Sequence, residues 1–149
     1  MDHHITLGPA NLKEPNNFEG RHPTSAPHRD KVKIDFAVHR DVAALSHYTV
    51  KMDGVTVAKI PLLLVEKIVA SAERQLPLKS NKVVADLDDI LFCLNNLMKK
   101  KNAKVPDDDL LRYRLTKEVW RGFWDRLKVF KPEELEKYRR LLREVGLLR

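Results

Sequence analysis

Residues 48–61 read YTVKMDGVTVAKIP, and this stretch decides the fold. Apolar and polar residues alternate on both sides of Asp53-Gly54, which is the period of a strand with one buried face. Asp-Gly between two such runs predicts a two-residue hairpin turn, because glycine accepts the positive φ that the turn requires. Pro61 then favours the first turn of a helix, where its missing N–H group would have no partner.

A further strand is predicted before the hairpin. Residues 31–38 read KVKIDFAV and alternate strictly, so that one face is apolar and Asp35 lies on the polar face. Residues 1–30 hold four of the eight prolines and four of the six histidines, with no apolar period. We therefore expect an extended or poorly ordered lead-in over residues 1–30 and a single domain over residues 31–149.

The chain after the hairpin predicts four or five helices. Residues 62–72 are apolar around most of a helix, and residues 83–98 carry apolar side chains at the 3.6-residue period. Residues 110–127 form a third stripe, either one helix or two joined near Thr116, and a last helix starts at Pro132. The expected fold class is α+β, with a small antiparallel or mixed sheet, made of the strand and the Asp-Gly hairpin, before a helix bundle.

Several classes of protein are excluded by the sequence. No apolar run approaches the roughly 20 residues that cross a bilayer, and the N-terminal residues lack a secretory pattern. We therefore expect an intracellular, cytoplasmic protein with no membrane partner. The single cysteine, Cys93, cannot form an intramolecular disulfide, and its apolar helical setting favours a buried packing thiol. No Gly-rich phosphate loop, nucleophile-elbow or zinc motif occurs.

The positive charge of the chain lies in its last third. The formal net charge is +7; residues 1–98 hold 12 Lys and Arg against 12 Asp and Glu, and residues 99–149 hold 16 against 9. Clustered cations favour an acidic partner, nucleic acid first, because binding releases counterions. The alternative is a solvated surface that only improves solubility. The candidate nucleic-acid contacts are Lys99, Lys100, Lys101, Arg112, Arg114 and Arg121.

Two tryptophans in the same region could stack bases. Trp120 and Trp124 are four residues apart and would share one face of a helix. Phe123 and Leu127 continue that apolar stripe, however, so we expect both indoles to pack in the core. The expected contact is then with phosphate rather than with bases.

The order of these signals resembles a known family. VKIDF, a hairpin ending in VTVAKI, PLLLVEKIVASAER and KSNKVVADLDDI follow one another along the chain. This succession resembles the second half of an AbiEii-type nucleotidyltransferase-like domain of the DNA polymerase β-like superfamily. The resemblance covers about residues 31–98, and the basic helices of residues 99–149 would be an appendage to it.

The resemblance implies roles for five residues. Asp35 would be the third metal-binding carboxylate, which completes a Mg²⁺ site and activates the attacking hydroxyl. Lys67 and Arg74 would face the nucleotide phosphates, and Lys79 with Asp86 would match a later basic-acidic pair. The implied reaction is Mg²⁺-dependent transfer of a nucleotide from a nucleoside triphosphate (NTP) to a hydroxyl of RNA or protein, in which the metal clamps the attacking and leaving oxygens.

Each of these residues also has a structural interpretation. Asp35 could be solvated or pair with Lys33, which lies on the same strand face. Lys67 and Arg74 could be the polar side of a core helix, paired with neighbouring glutamates. Asp86 could simply favour the N-terminal dipole of its helix.

The family's other two metal ligands are missing from this sequence. The family places a Gly-Ser turn and an Asp-x-Asp pair before the third carboxylate, and this sequence has neither. One carboxylate cannot hold two Mg²⁺ ions. We therefore expect a truncated or degenerate nucleotidyltransferase-like pseudoenzyme, inactive as this chain and needing Mg²⁺ only if active. The alternative is a non-enzymatic helical module that binds nucleic acid or an acidic protein through its basic C-terminal helices.

Overall fold

The computed structural model describes residues 18–20, 32–34, 43–101 and 103–149, and the chain divides into two compact units, Met1–Val42 and Ala43–Arg149. In the first unit, strand β1 (Phe18–Gly20) pairs antiparallel with β2 (Val32–Ile34). Strand β2 lies within the run predicted as a strand, and β1 lies within the predicted lead-in. Asp35 lies outside the described residues.

The second unit begins with the predicted hairpin. Strand β3 (Thr49–Met52) pairs antiparallel with β4 (Val55–Ala58). Asp53 and Gly54 join them with φ angles of 49° and 80°, as a two-residue turn requires. The hairpin and its turn are therefore confirmed, but the expected buried face is wrong, because the large apolar side chains of both strands are exposed: Val50, Met52, Val55 and Val57. In the described residues β2 pairs with β1 and not with this hairpin, so the sheet is two separate two-stranded ladders.

Five α-helices follow the hairpin in the described residues, which confirms the α+β class. They are α1 (Ile60–Glu73), α2 (Ser80–Met98), α3 (Asp109–Arg112), α4 (Lys117–Phe130) and α5 (Leu135–Glu144). Thr116 caps α4, since its hydroxyl accepts a hydrogen bond from the Val119 amide at 3.2 Å. The third apolar stripe is therefore two helices that separate just before this cap. No helix within the described ranges is both long and apolar enough to cross a membrane.

The core of the second unit lies between these helices. Helix α1 packs against α2 and α4. Gly122 makes the α1–α4 approach possible, because a Cβ atom there would lie 3.1 Å from both the Cβ atom and the carbonyl oxygen of Ala72. Helix α5 is joined to α2 by the buried Tyr138 hydroxyl, which donates a hydrogen bond of 2.8 Å to the Leu87 carbonyl.

Candidate functional site

The structure brings together three of the residues that the resemblance selects. Asp86 on α2 is only 2% exposed. Its Oδ2 atom accepts a hydrogen bond of 2.8 Å from Arg74 Nε, and its Oδ1 atom lies 3.3 Å from Lys67 Nζ. Lys67 also pairs with Asp89 at 2.7 Å. Lys67, Arg74, Asp86 and Asp89 are called the Asp86 cluster below.

The charges of the Asp86 cluster balance one another. Burial of its ammonium group lowers the pKa of Lys67, but the hydrogen bond and charge of Asp89, together with Asp86, outweigh that effect and raise the pKa above its ordinary value. Lys67 is therefore charged at neutral pH. Lys67 on α1 and Arg74 just after its end face two carboxylates from α2, so the cluster joins these helices. This arrangement gives the three residues a structural role, but the ion-pair partners of the two cations are aspartates of α2, and Asp86 lies beyond the first turn of that helix.

The other residues implied by the resemblance do not join the cluster. Lys79 is the exposed residue just before α2 and forms no ion pair with any residue that the structure describes. The prediction that Asp35 faces Lys67 concerns a residue outside the described ranges. Within those ranges, no group of three or more His, Cys, Asp or Glu side chains could hold a metal ion.

Cys93 is a packing residue. Its side chain is fully buried in the helical core, and burial raises the pKa of the thiol to about 11. The thiol is therefore protonated at neutral pH. A protonated buried thiol is a poor nucleophile.

Two of the predicted nucleic-acid contacts are engaged within the protein. Arg112 donates hydrogen bonds to the carbonyl oxygens of Val105 at 2.6 Å and Pro106 at 2.7 Å. Arg114 pairs with Glu66 on α1 at 2.7 Å. Both guanidinium groups therefore hold the α3 region in place. The other predicted contacts remain on the surface: Lys99, Lys100, Lys101 and Arg121.

Five cationic side chains surround an open cleft beside α4 and α5, with a volume of about 470 Å³. Its charged lining residues are Arg121, Asp125, Lys128, Arg139, Arg143 and Arg149, and its apolar ones are Trp124 and Leu148. The α4 residues are spaced three, four and seven apart, and the α5 arginines four apart, so each helix presents one face. We call this the α4/α5 cleft.

Most of the cations in the α4/α5 cleft form no ion pair within the described residues, although hydrogen bonds and, to a smaller degree, the charge of Arg121 lower the pKa of Glu118. Arg139 pairs with Glu136 and lies 5.6 Å from the centroid of the Trp124 ring. The other four cations form no ion pair with any residue in the described part of the chain: Arg121, Lys128, Arg143 and Arg149. Asp125 is the single carboxylate of the lining. The cleft is therefore strongly positive and suited to an anion with several charges.

Trp124 has two roles in the structure. It is half-buried and packs on the core, with its ring centroid 4.9 Å from that of Phe123 and 6.3 Å from that of Trp120. It also lines the α4/α5 cleft. The expectation that this indole packs against the core is therefore confirmed, and the half-buried ring in addition contributes to the lining of the cleft.

Sequence reasoning singled out two residues of the cleft, Arg121 as a phosphate contact and Trp124 as an indole that could stack on a base. It missed Lys128, Arg139, Arg143 and Arg149, although the four-residue spacing of Arg139 and Arg143 was a usable signal. A comparison of the chain with models of protein families, with curated proteins and with solved structures finds no match.

Proposed function

We propose that this protein is a non-catalytic helical module that binds nucleic acid through the α4/α5 cleft. The supporting observation is the set of five cations around one concave site with a single carboxylate. Lys128, Arg143 and Arg149 form no ion pair with any described residue, so a polyanion that these three cations bind breaks no ion pair there. Neutralising phosphates with such cations also releases counterions from the nucleic acid, which favours association.

Charge density favours nucleic acid over an acidic protein. Each nucleotide carries one phosphate, so a short segment of strand can satisfy several neighbouring cations. Four of the five cations are arginines, whose planar guanidinium groups can donate two parallel hydrogen bonds to one phosphate. These contacts involve the backbone of the nucleic acid. We therefore expect binding that depends little on base sequence.

The proposal is tested by titrating a fluorescent oligonucleotide with the protein at increasing salt concentrations. If four cations of the cleft each neutralise one phosphate, the logarithm of the binding constant should fall against the logarithm of salt with a slope of about −3 for a single strand. Salt-independent binding, or no binding at low ionic strength, would contradict the proposal. Stronger competition by a polyglutamate peptide than by an oligonucleotide would assign the cleft to an acidic protein instead.

We also propose that the Asp86 cluster descends from the nucleotide site of a nucleotidyltransferase. The observation in favour is that Lys67, Arg74 and Asp86, all selected by the resemblance, meet at one place, with 23% of the Lys67 side chain still exposed. In an active relative, these cations would approach the NTP phosphates while carboxylates held Mg²⁺. In this chain the cations are already neutralised by Asp86 and Asp89, so we expect no catalysis.

Incubation with a labelled NTP, Mg²⁺ and RNA or protein acceptors tests this second proposal. We expect no incorporation of label into either acceptor. Incorporation that requires Mg²⁺ and is abolished by Asp35→Asn would show that the chain is an active enzyme. The same variant should leave oligonucleotide binding unchanged.

A further inference from the structure

We infer that the α4/α5 cleft accepts unpaired nucleotides and that Trp124 stacks on one of their bases. This inference rests on the proposed function and specifies the kind of nucleic acid. The first supporting observation is the size of the cleft. A volume of about 470 Å³ lies within the range of small-molecule pockets, about 300–1,000 Å³. A double helix is much wider than such a cleft and would reach only its rim.

The position of Trp124 gives the second step. Its indole is the single aromatic group of the cleft lining, and it lies between Arg121, three residues before it, and Lys128, four residues after it. Single-strand sites combine cations that follow the phosphates with aromatic rings that stack on bases. The spacing on α4 places both kinds of group on one helical face.

The indole is held in place before any ligand binds. Its contact with the Phe123 ring, 4.9 Å between centroids, fixes one side of Trp124 against the core. The guanidinium group of Arg139 lies over a face of the same indole, so a base reaches that face by displacing this side chain, whose planar group can itself stack on the base. Of these two flat groups, the indole is the one that loses little conformational freedom when a base binds, because it already packs on the core.

A base-paired strand could not form the stacking contact with Trp124. In a duplex, neighbouring base pairs cover the flat face of each base, so an indole can stack only after unstacking the helix. In a single strand, the faces of the bases are accessible. An unpaired strand therefore gains both the phosphate and the stacking contacts, whereas a duplex gains only some of the phosphate contacts.

The experiment compares three fluorescent probes of equal length: a single strand, its duplex and a strand with abasic sites throughout. The wild-type protein should bind the single strand most tightly. Trp124→Leu should weaken single-strand binding about tenfold and leave the salt dependence unchanged, because stacking involves no counterion. The same variant should not alter binding of the abasic strand. Phe92→Leu, at an exposed aromatic residue outside the cleft, is the matched control and should bind like wild type.

Trp124→Leu could also weaken binding by destabilising the protein, and Trp124→Phe distinguishes the two effects. The phenylalanine keeps an aromatic ring at this position, so this variant should retain most of the affinity. The inference is overturned if the abasic strand or the duplex binds as tightly as the single strand, or if Trp124→Leu binds like wild type. Those outcomes leave the proposed function intact, because salt-dependent binding to phosphate would persist. Absence of binding by every probe at low salt would overturn both.

Discussion

Asp86 is the one buried carboxylate among the described residues, and its two cationic partners decide its role. The resemblance selected Lys67, Arg74 and Asp86, but it paired Asp86 with Lys79, whereas the structure pairs Asp86 with Lys67 and Arg74. The alternative expectation was that Lys67 and Arg74 pair with neighbouring glutamates. One of those glutamates, Glu66, pairs instead with Arg114. Such partners lie on different helices, and helical periodicity alone does not specify which faces meet.

We expect Asp86→Asn to destabilise the protein by about 2 kcal/mol. An amide cannot neutralise the two cations, and the charge-assisted hydrogen bonds to the buried carboxylate are lost. The expected loss is smaller than for a fully buried pair, because 23% of the Lys67 side chain and 35% of the Arg74 side chain are exposed. Urea unfolding measures the change. Asp88→Asn, which breaks the exposed pair with Lys131, is the control and should have a much smaller effect. Equal losses in the two variants would contradict a structural role for the Asp86 cluster.

We expect the buried thiol of Cys93 to make the free energy of unfolding depend on pH. Burial raises the pKa of Cys93 from 9.0 to about 11, so the unfolded chain loses this proton at lower pH than the folded protein does. The contribution to stability is therefore fully present below about pH 9 and is lost as the pH rises to about 11. Lys67, whose pKa is also raised, adds a loss at still higher pH. The free energy of unfolding should fall as the pH rises through this range, and it should fall less steeply in Cys93→Ala than in the wild-type protein. Identical pH profiles for the two proteins would contradict the raised pKa of the Cys93 thiol.

At the scale of elements, local patterns predicted most of what the structure contains. Asp53-Gly54 gave the hairpin because its turn chemistry is contained in two residues, and apolar periodicity gave the helices. The break between α3 and α4 could not be decided from the stripe, since both helices bury the same kind of residue. The pairing of β2 with β1 was not predicted either, because a three-residue strand carries too little alternation to be recognised.

The α1–α4 contact depends on Gly122. We expect Gly122→Val to destabilise the protein by about 2 kcal/mol, because a branched side chain would collide with Ala72, where even a Cβ atom would lie at 3.1 Å. Gly122→Ala should differ from wild type by less than about 1 kcal/mol, since better helix propensity offsets the close contact. Thermal or urea unfolding distinguishes the two. A valine variant as stable as wild type would show that the helices do not pack this closely.

At the scale of the whole molecule, the excess of positive charge was visible in the sequence but its location was not. Arg112 and Arg114 look the same as Arg139 and Arg143 in a charge count. Tertiary contacts engage the first two with carbonyl and carboxylate groups and leave Arg143 without an acidic partner in the described part of the chain. Only the packing of α5 beside α4 creates the cleft. The sequence therefore predicts that the last third of the chain is basic, but it does not predict which of those residues form the candidate interface.

The most direct test of the account is the affinity for a fluorescent single strand of two variants with equal net charge. Arg121→Glu/Arg143→Glu reverses two cations of the α4/α5 cleft, and Lys99→Glu/Lys100→Glu reverses two exposed cations outside it. The account predicts that the cleft variant loses more than about tenfold in affinity and that its salt slope becomes shallower by about 1, whereas the lysine variant stays close to wild type. Equal losses in both variants would contradict it, because binding would then follow net charge and not the cleft.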